Sequence, residues 1–229
     1  MAKKSDRQED RMVAVEGALS NTEQFIEKNQ KIITIVVGII VVIVLGYFGY
    51  QRFFLIPQNK EAQSEMFMAQ MYFEQDSLNL ALNGDGNYPG FLQIVDDYGM
   101  TEAGNLANYY AGIIYLKKEE FETAIDYLQD FDTEDQVVGP MAMAAIGDAY
   151  LELGDAERAA NYYMKAANTH TNEFVTPTFL MKAGWVFEQT GDYDKAVRLY
   201  ERIQTEFGAS SQARDIEKYI QRAKAKSEG

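Results

Sequence analysis

Between Asn105 and Gly208 the chain repeats one spacing three times: a glycine, an aromatic three positions on, and an alanine nine beyond that. The sets are Gly112/Tyr115/Ala124, Gly147/Tyr150/Ala159 and Gly184/Phe187/Ala196, with glycines 35 and 37 residues apart. A self-similar period of this length confines the fold to stacked supersecondary units, because one unit alone cannot bury its apolar face. Each unit reads as two antiparallel helices. Glycine inside an apparent helix such as AMAAIGDAYLEL costs roughly 1 kcal/mol against alanine. Its return at three equivalent places points to close approach of the second helix. Ala124, Ala159 and Ala196 are the small partners on that helix, and Leu128, Tyr163 and Tyr200 follow on the same face. Tyr115, Tyr150 and Phe187 are expected to cover the hole beside each glycine. An ordinary helical bundle is the alternative, and three copies in register speak against it.

The turns repeat as well. Gly154-Asp155 and Gly191-Asp192 sit where a first helix should stop, glycine being a frequent residue just past a helix C-terminus. Lys118-Glu119-Glu120 replaces that glycine in the first clear unit. Pro140 and Pro177 lie seven residues before Gly147 and Gly184, in a first turn where proline loses no needed hydrogen bond. The pattern is similar to the tetratricopeptide repeat (TPR), whose period is about 34 residues. The expected fold is all-α: a single N-terminal transmembrane helix, then a TPR helical-repeat solenoid with a C-terminal capping helix.

Residues 32–51, IITIVVGIIVVIVLGYFGYQ, carry no charge. Twenty residues at 1.5 Å each reach about 30 Å, the thickness of a bilayer's hydrocarbon core. Tyr47, Tyr50, Phe53 and Phe54 gather at the far end as an aromatic belt does, and Lys28, Lys31 and Arg52 bracket the run. No face is polar, which disfavours a buried core helix. The long polar leader and the missing small-residue cleavage site disfavour a cleaved signal peptide. The segment 32–55 therefore reads as an uncleaved signal anchor. Six Lys/Arg precede it, whereas only Arg52 and Lys60 follow closely. The positive-inside rule then places residues 1–31 in the cytoplasm and residues 58–229 outside the bacterial inner (cytoplasmic) membrane, in the periplasm. In the leader, Ser20 followed by Glu23 reads as a capping box.

Residues 58–100 read as a degenerate first repeat, with Ala62, Met66, Ala69 and Phe73 on one helix face. Asn83-Gly84-Asp85-Gly86-Asn87 alternates oxygen ligands as a calcium loop does. Tyr88 and Ile94, however, stand where that loop needs glycine and a bidentate glutamate, so a glycine-rich turn is the reading. Clear repeats follow at 105–136, 140–170 and 177–208. Residues 210–226 make the cap, with Ile216, Tyr219, Ile220 and Ala223 at helical spacing.

Composition narrows the function. Residues 57–229 hold 14 Lys/Arg against 29 Asp/Glu, which disfavours nucleic acid as a partner. There is no cysteine, hence no disulfide, thiol chemistry or Cys-bound zinc. His170, the only histidine, stands in a polar connector and reads as inert. No nucleotide-binding glycine motif, Ser/His/Asp set or metal-ligand cluster is present in the sequence. The expectation is a non-enzyme with no catalytic residue, cofactor or metal. An enzyme using scattered carboxylates is the weaker alternative.

In stacked units the first helices line a groove. By register its lining comprises Leu106, Tyr109, Ile113, Leu116, Met141, Ala144, Asp148, Leu151, Met181 and Trp185. Tyr, Trp and Met are favoured contact types. Some of these side chains would instead be core. The places where some TPR domains carry a basic carboxylate clamp hold Tyr109, Ala144 and Met181, so that mode is not expected.

The polar N-terminus, single span and acidic repeat domain together resemble the YfgM-like family of bacterial inner-membrane TPR proteins. The closest likeness is to Bacteroidetes-type members, carried by ALNGDGNYPGFLQIVDDYG (81–99), NLANYYAGIIYL (105–116), AIGDAYLELGD (145–155) and DIEKYI (215–220). What the resemblance implies is a non-enzymatic ancillary subunit of the SecYEG translocon. Its implied partners are a PpiD-like periplasmic chaperone and prolyl isomerase, newly translocated polypeptides, and the bilayer through one helix. The competing reading is a TPR adaptor for cell-envelope assembly or division. Protease added to intact spheroplasts should digest the repeat domain; full protection would reverse the orientation.

Overall fold

The computed structural model describes residues 28–228, so the capping box at Ser20–Glu23 lies outside the described residues. Two compact units divide at Pro57/Gln58. Every regular element among the described residues is helical.

In the first unit, α1 (residues 28–50) is followed by a π-helical stretch, Gln51–Leu55. Its apolar side chains lie open almost throughout. By length and composition this segment can cross a membrane.

The second unit holds α2 (Ile56–Glu74), counted from Gln58, and α3 (Leu78–Asn83), α4 (Phe91–Tyr98), α5 (Glu102–Lys117) and α6 (Phe121–Asp130). Then come α7 (Val138–Glu152), α8 (Ala156–Thr169), α9 (Thr176–Gln189), α10 (Tyr193–Glu206) and α11 (Ile216–Ser227). The hairpins α5/α6, α7/α8 and α9/α10 are the three repeats read from the sequence. The second helices α8 and α10 start on side-chain caps that satisfy otherwise orphan amides, whereas Glu120 before α6 makes no such bond. Asp155 Oδ1 accepts from the Arg158 amide at 2.9 Å, and Asp192 Oδ1 accepts from the Lys195 amide at 3.4 Å. Before each cap the chain must enter the left-handed region, which glycine does without a Cβ penalty. Gly154 and Gly191 do so with φ of +79° and +82°. In the first hairpin Glu119 takes the same conformation at φ +62°, so the turn survives the missing glycine at a steric cost.

The first helices touch the second where glycine stands, but the hole is filled by other side chains than Tyr115, Tyr150 and Phe187. A Cβ on Gly147 would lie 2.8 Å from Cε1 of Tyr163, and one on Gly184 would run into the Tyr200 ring. At Gly112 the neighbour is Leu128. The aromatic three residues after each glycine instead closes the hairpin end. Tyr115 stacks on Tyr127 at 5.3 Å, and Tyr150 packs on Tyr162 at 5.4 Å. A cation covers each ring: Lys118 over Tyr115, Arg158 over Tyr150 and Lys195 over Phe187.

The region 58–100 keeps the first helix but breaks the second. α3 ends at Gly84, and α4 begins after Gly90, where a Cβ would strike the Leu82 carbonyl. Asp85 organises the turn between them, its Oδ1 accepting from the Asn87 and Tyr88 amides at 2.9 and 2.8 Å. Its carboxylate is thus engaged as a turn former. Ala62, Met66 and Ala69 of α2 are buried with Phe91, Ile94, Ala107 and Ile114, and Phe91 stacks on Tyr110 at 4.7 Å. A second core runs from Ile125 to Ala223 through the remaining hairpins.

The final helix is shorter than read. Ser210 Oγ accepts from the Ala213 amide at 3.2 Å, a 3₁₀ turn follows at Gln212–Asp215, and α11 starts at Ile216. Ile216, Ile220 and Ala223 are buried against the last repeat. Substituting Gly184→Ala adds a methyl with no room beside Tyr200. Overpacking of this kind costs about 1–3 kcal/mol, more than the helix propensity it gains. The urea midpoint of the repeat domain should fall, and a variant unfolding at the wild-type midpoint would contradict the packing.

Candidate peptide-binding groove

Successive first helices α5, α7 and α9, with α11 after them, present one face of the array. Leu116 of α5, Asp148 and Leu151 of α7, and Lys182 of α9 meet around a hollow of about 550 Å³, with Lys117, Glu119, Phe121 and Glu152. Asp148 and Leu151 also border a smaller hollow with Tyr163, Lys182, Trp185 and Gln189. Trp185 continues into a third beside Glu188, Tyr219, Arg222 and Lys226.

Four of the ten residues expected in the groove, Leu116, Asp148, Leu151 and Trp185, are thus brought together. Tyr109 and Ile113 are half-buried against the larger core, and Leu106 packs on the N-terminal one. Ala144 and Met181 are buried at 4 % and 6 % exposure, where they serve as core. Met141 is exposed at the start of α7 and borders none of these hollows.

What sequence reasoning missed is a polar brace at two junctions. The Tyr163 ring fits under Gly147, and its hydroxyl emerges to donate to Asp148 Oδ1. Lys182, from the next first helix, donates to both Asp148 oxygens at 2.6 and 2.8 Å. One repeat on, the Tyr200 ring fits under Gly184, and its hydroxyl donates to Glu188 Oε1 at 2.9 Å. Arg222 of α11 grips both Glu188 oxygens, Nε to Oε2 at 3.0 Å and Nη2 to Oε1 at 2.6 Å. The Glu188 side chain is only 8 % exposed, so this fork supplies the charge and hydrogen bonds that its burial requires. Both cation–carboxylate pairs are 34 residues apart. An acid and a base one repeat apart was the available signal. At the α5/α7 junction the equivalent positions are Ile113 and Leu116, so no carboxylate stands there to be braced.

Burial, and then the hydrogen bond to a carboxylate, push the Tyr163 and Tyr200 phenols well above their ordinary value. The Glu188 carboxylate holds the Arg222 guanidinium above its own. The Arg158 amide and guanidinium hold the capping Asp155 carboxyl below the usual carboxylate range. Among the described residues no three His, Cys, Asp or Glu side chains are arranged to hold a metal ion.

A tetratricopeptide repeat family profile matches residues 144–213, from α7 into the 3₁₀ turn. Among solved structures, the crystal structure of MamA protein is similar with a TM-score of 0.52 at 18 % identity, covering 73 % of this chain and 92 % of that one. A likeness at that identity speaks for the fold alone. No curated protein matches the chain. The fold is an all-α array of tetratricopeptide repeats with one apolar helix near its N-terminus. Such arrays generally act as scaffolds for other proteins.

The braced phenols set an alkaline signature. Each is protonated in the folded state at a pH where the unfolded chain's tyrosines, near pKa 10, have ionised. The stabilisation is therefore full below about pH 10 and lost as pH rises above it. Denaturant melts should show stability falling above that pH, and Tyr163→Phe with Tyr200→Phe should flatten the slope. An unchanged slope would mean that the phenols titrate normally.

Proposed function

We propose that the chain is a membrane-anchored, non-enzymatic TPR scaffold that captures other polypeptides in the groove along α5, α7, α9 and α11. The observation that carries this is Trp185. It stands 44 % exposed between two hollows, within 6.5 Å of the Tyr219 ring, on a face whose charged neighbours already have partners. An accessible aromatic on a pre-ordered wall is the usual anchor of a protein contact.

The uncharged run at 32–51 is the anchor, with residues 1–31 cytoplasmic and the repeats periplasmic, as the lysine and arginine bias favours. With the resemblance to YfgM-like proteins, the role that fits best is an ancillary subunit of the SecYEG translocon. There it binds a PpiD-like chaperone, newly translocated chains, or both. No residue is assigned catalysis, and no cofactor or metal takes part.

The test is crosslinking in cells and pull-down from detergent extract, with the wild type compared with Trp185→Ala and Leu151→Ala, which both border the hollows. Recovery of translocon subunits and PpiD, reduced in both variants, is the expected result. A buried aromatic anchor typically contributes about 2 kcal/mol, so the Trp185 variant should lose roughly thirty-fold in affinity. Capture unchanged in both would remove the groove assignment. Recovery of only cell-wall or division proteins would replace the translocon role with that of an envelope-assembly adaptor.

A further inference from the structure

A second surface lies where α7 and α9 begin. The two loops leading into these helices are joined, Asn172 Nδ2 donating to the Gln136 carbonyl at 3.0 Å. Each loop holds the same side-chain turn. Asp135 Oδ1 accepts from the Val137 and Val138 amides, both at 2.8 Å. Asn172 Oδ1 accepts from the Phe174 and Val175 amides, both at 3.0 Å, and the Asn172 amide donates to Thr176 Oγ1 at 2.9 Å. On this tied backbone the side chains after each turn face solvent. Phe174 is 85 % exposed and Val137 38 %; Met141, one helical turn into α7, is 42 % exposed. A single exposed apolar residue is ordinary. Three on one edge whose backbone is already ordered make a surface that a partner can cover with little loss of entropy.

The rim of this surface has one sign. Glu134 and Asp135 both precede Val137, and Glu173 precedes Phe174. Among the described residues, none of the three carboxylates is within ion-pair distance of a lysine or arginine. His170 is the only basic residue in the two loops, 131–137 and 170–175.

We propose that this edge docks a cationic amphipathic polypeptide segment. The segment lays apolar side chains on Val137, Met141 and Phe174 and sets lysine or arginine against Glu134, Asp135 and Glu173. An anionic lipid surface would be repelled by the same carboxylates. The site is separate from the groove and does not depend on it.

The test uses the full chain in detergent and three synthetic helical peptides. They share one leucine-phenylalanine face and carry lysine, glutamine or glutamate on the other. The lysine peptide should bind about ten-fold or more tighter than the glutamate peptide, and less tightly at high salt. Phe174→Ala and the pair Glu134→Gln/Glu173→Gln should each weaken it about five-fold or more. All three positions are exposed, so thermal melts of these variants should match the wild type. Trp185→Ala should leave binding unchanged. The proposal fails if Phe174→Ala has no effect, if the glutamate peptide binds as well, or if Trp185→Ala abolishes binding. It also fails if Phe174→Ala instead removes self-association or capture of anionic lipid nanodiscs, which would make a second copy or the bilayer the occupant.

Discussion

Everything in the repeat domain depends on a missing Cβ. At Gly112, Gly147 and Gly184 the first helix has no side chain, and Leu128, Tyr163 or Tyr200 of the second helix occupies that volume. The alanines Ala124, Ala159 and Ala196 are fully buried beside these contacts and complete the close approach. Each such contact fixes the pairing within a hairpin. Stacking the hairpins then covers the apolar surface that each leaves open.

Tyrosine rather than leucine at two of these places has a further effect. Its ring fills the space under the glycine, and its hydroxyl reaches the far side of the first helix, where the groove lies. A buried phenol needs an acceptor. Asp148 and Glu188 provide one, and Lys182 and Arg222 balance the charge from the following helix. Packing inside one hairpin thereby becomes a polar joint to the next. The half of the groove that begins at Leu116 is left without this arrangement, so its two ends differ in chemistry.

The repeats were legible because period, glycine, aromatic and alanine agree with one another. The turn glycines and capping aspartates were legible for the same reason, since a left-handed residue and an orphan amide each accept few side chains. Which aromatic fills the glycine's hole was not. Tyr115 and Leu128 are both spaced to reach it, and only the crossing of the two helices decides between them. The groove was legible in register but not in depth. Ala144 and Met181 lie on the expected face yet are covered by their neighbours, whereas Trp185 is left open. The polar braces were hidden because their members come from three helices, and pairing at a distance of one repeat is not a local pattern. In 58–100 the first helix, the glycine-rich turn at 83–87 and a short helix after it could be read, because glycine and proline punctuate the chain there.

The last helix has a consequence beyond covering the end of the core. Arg222 reaches back to Glu188, which lies beneath the surface of α9, and Lys224 pairs with Glu201 of α10 at 2.7 Å. A chain ending before Ile216 would therefore lose more than its lid. It would strand a negative charge in the interior of the preceding hairpin, so a truncation at the tail would be felt at the wall that carries Trp185.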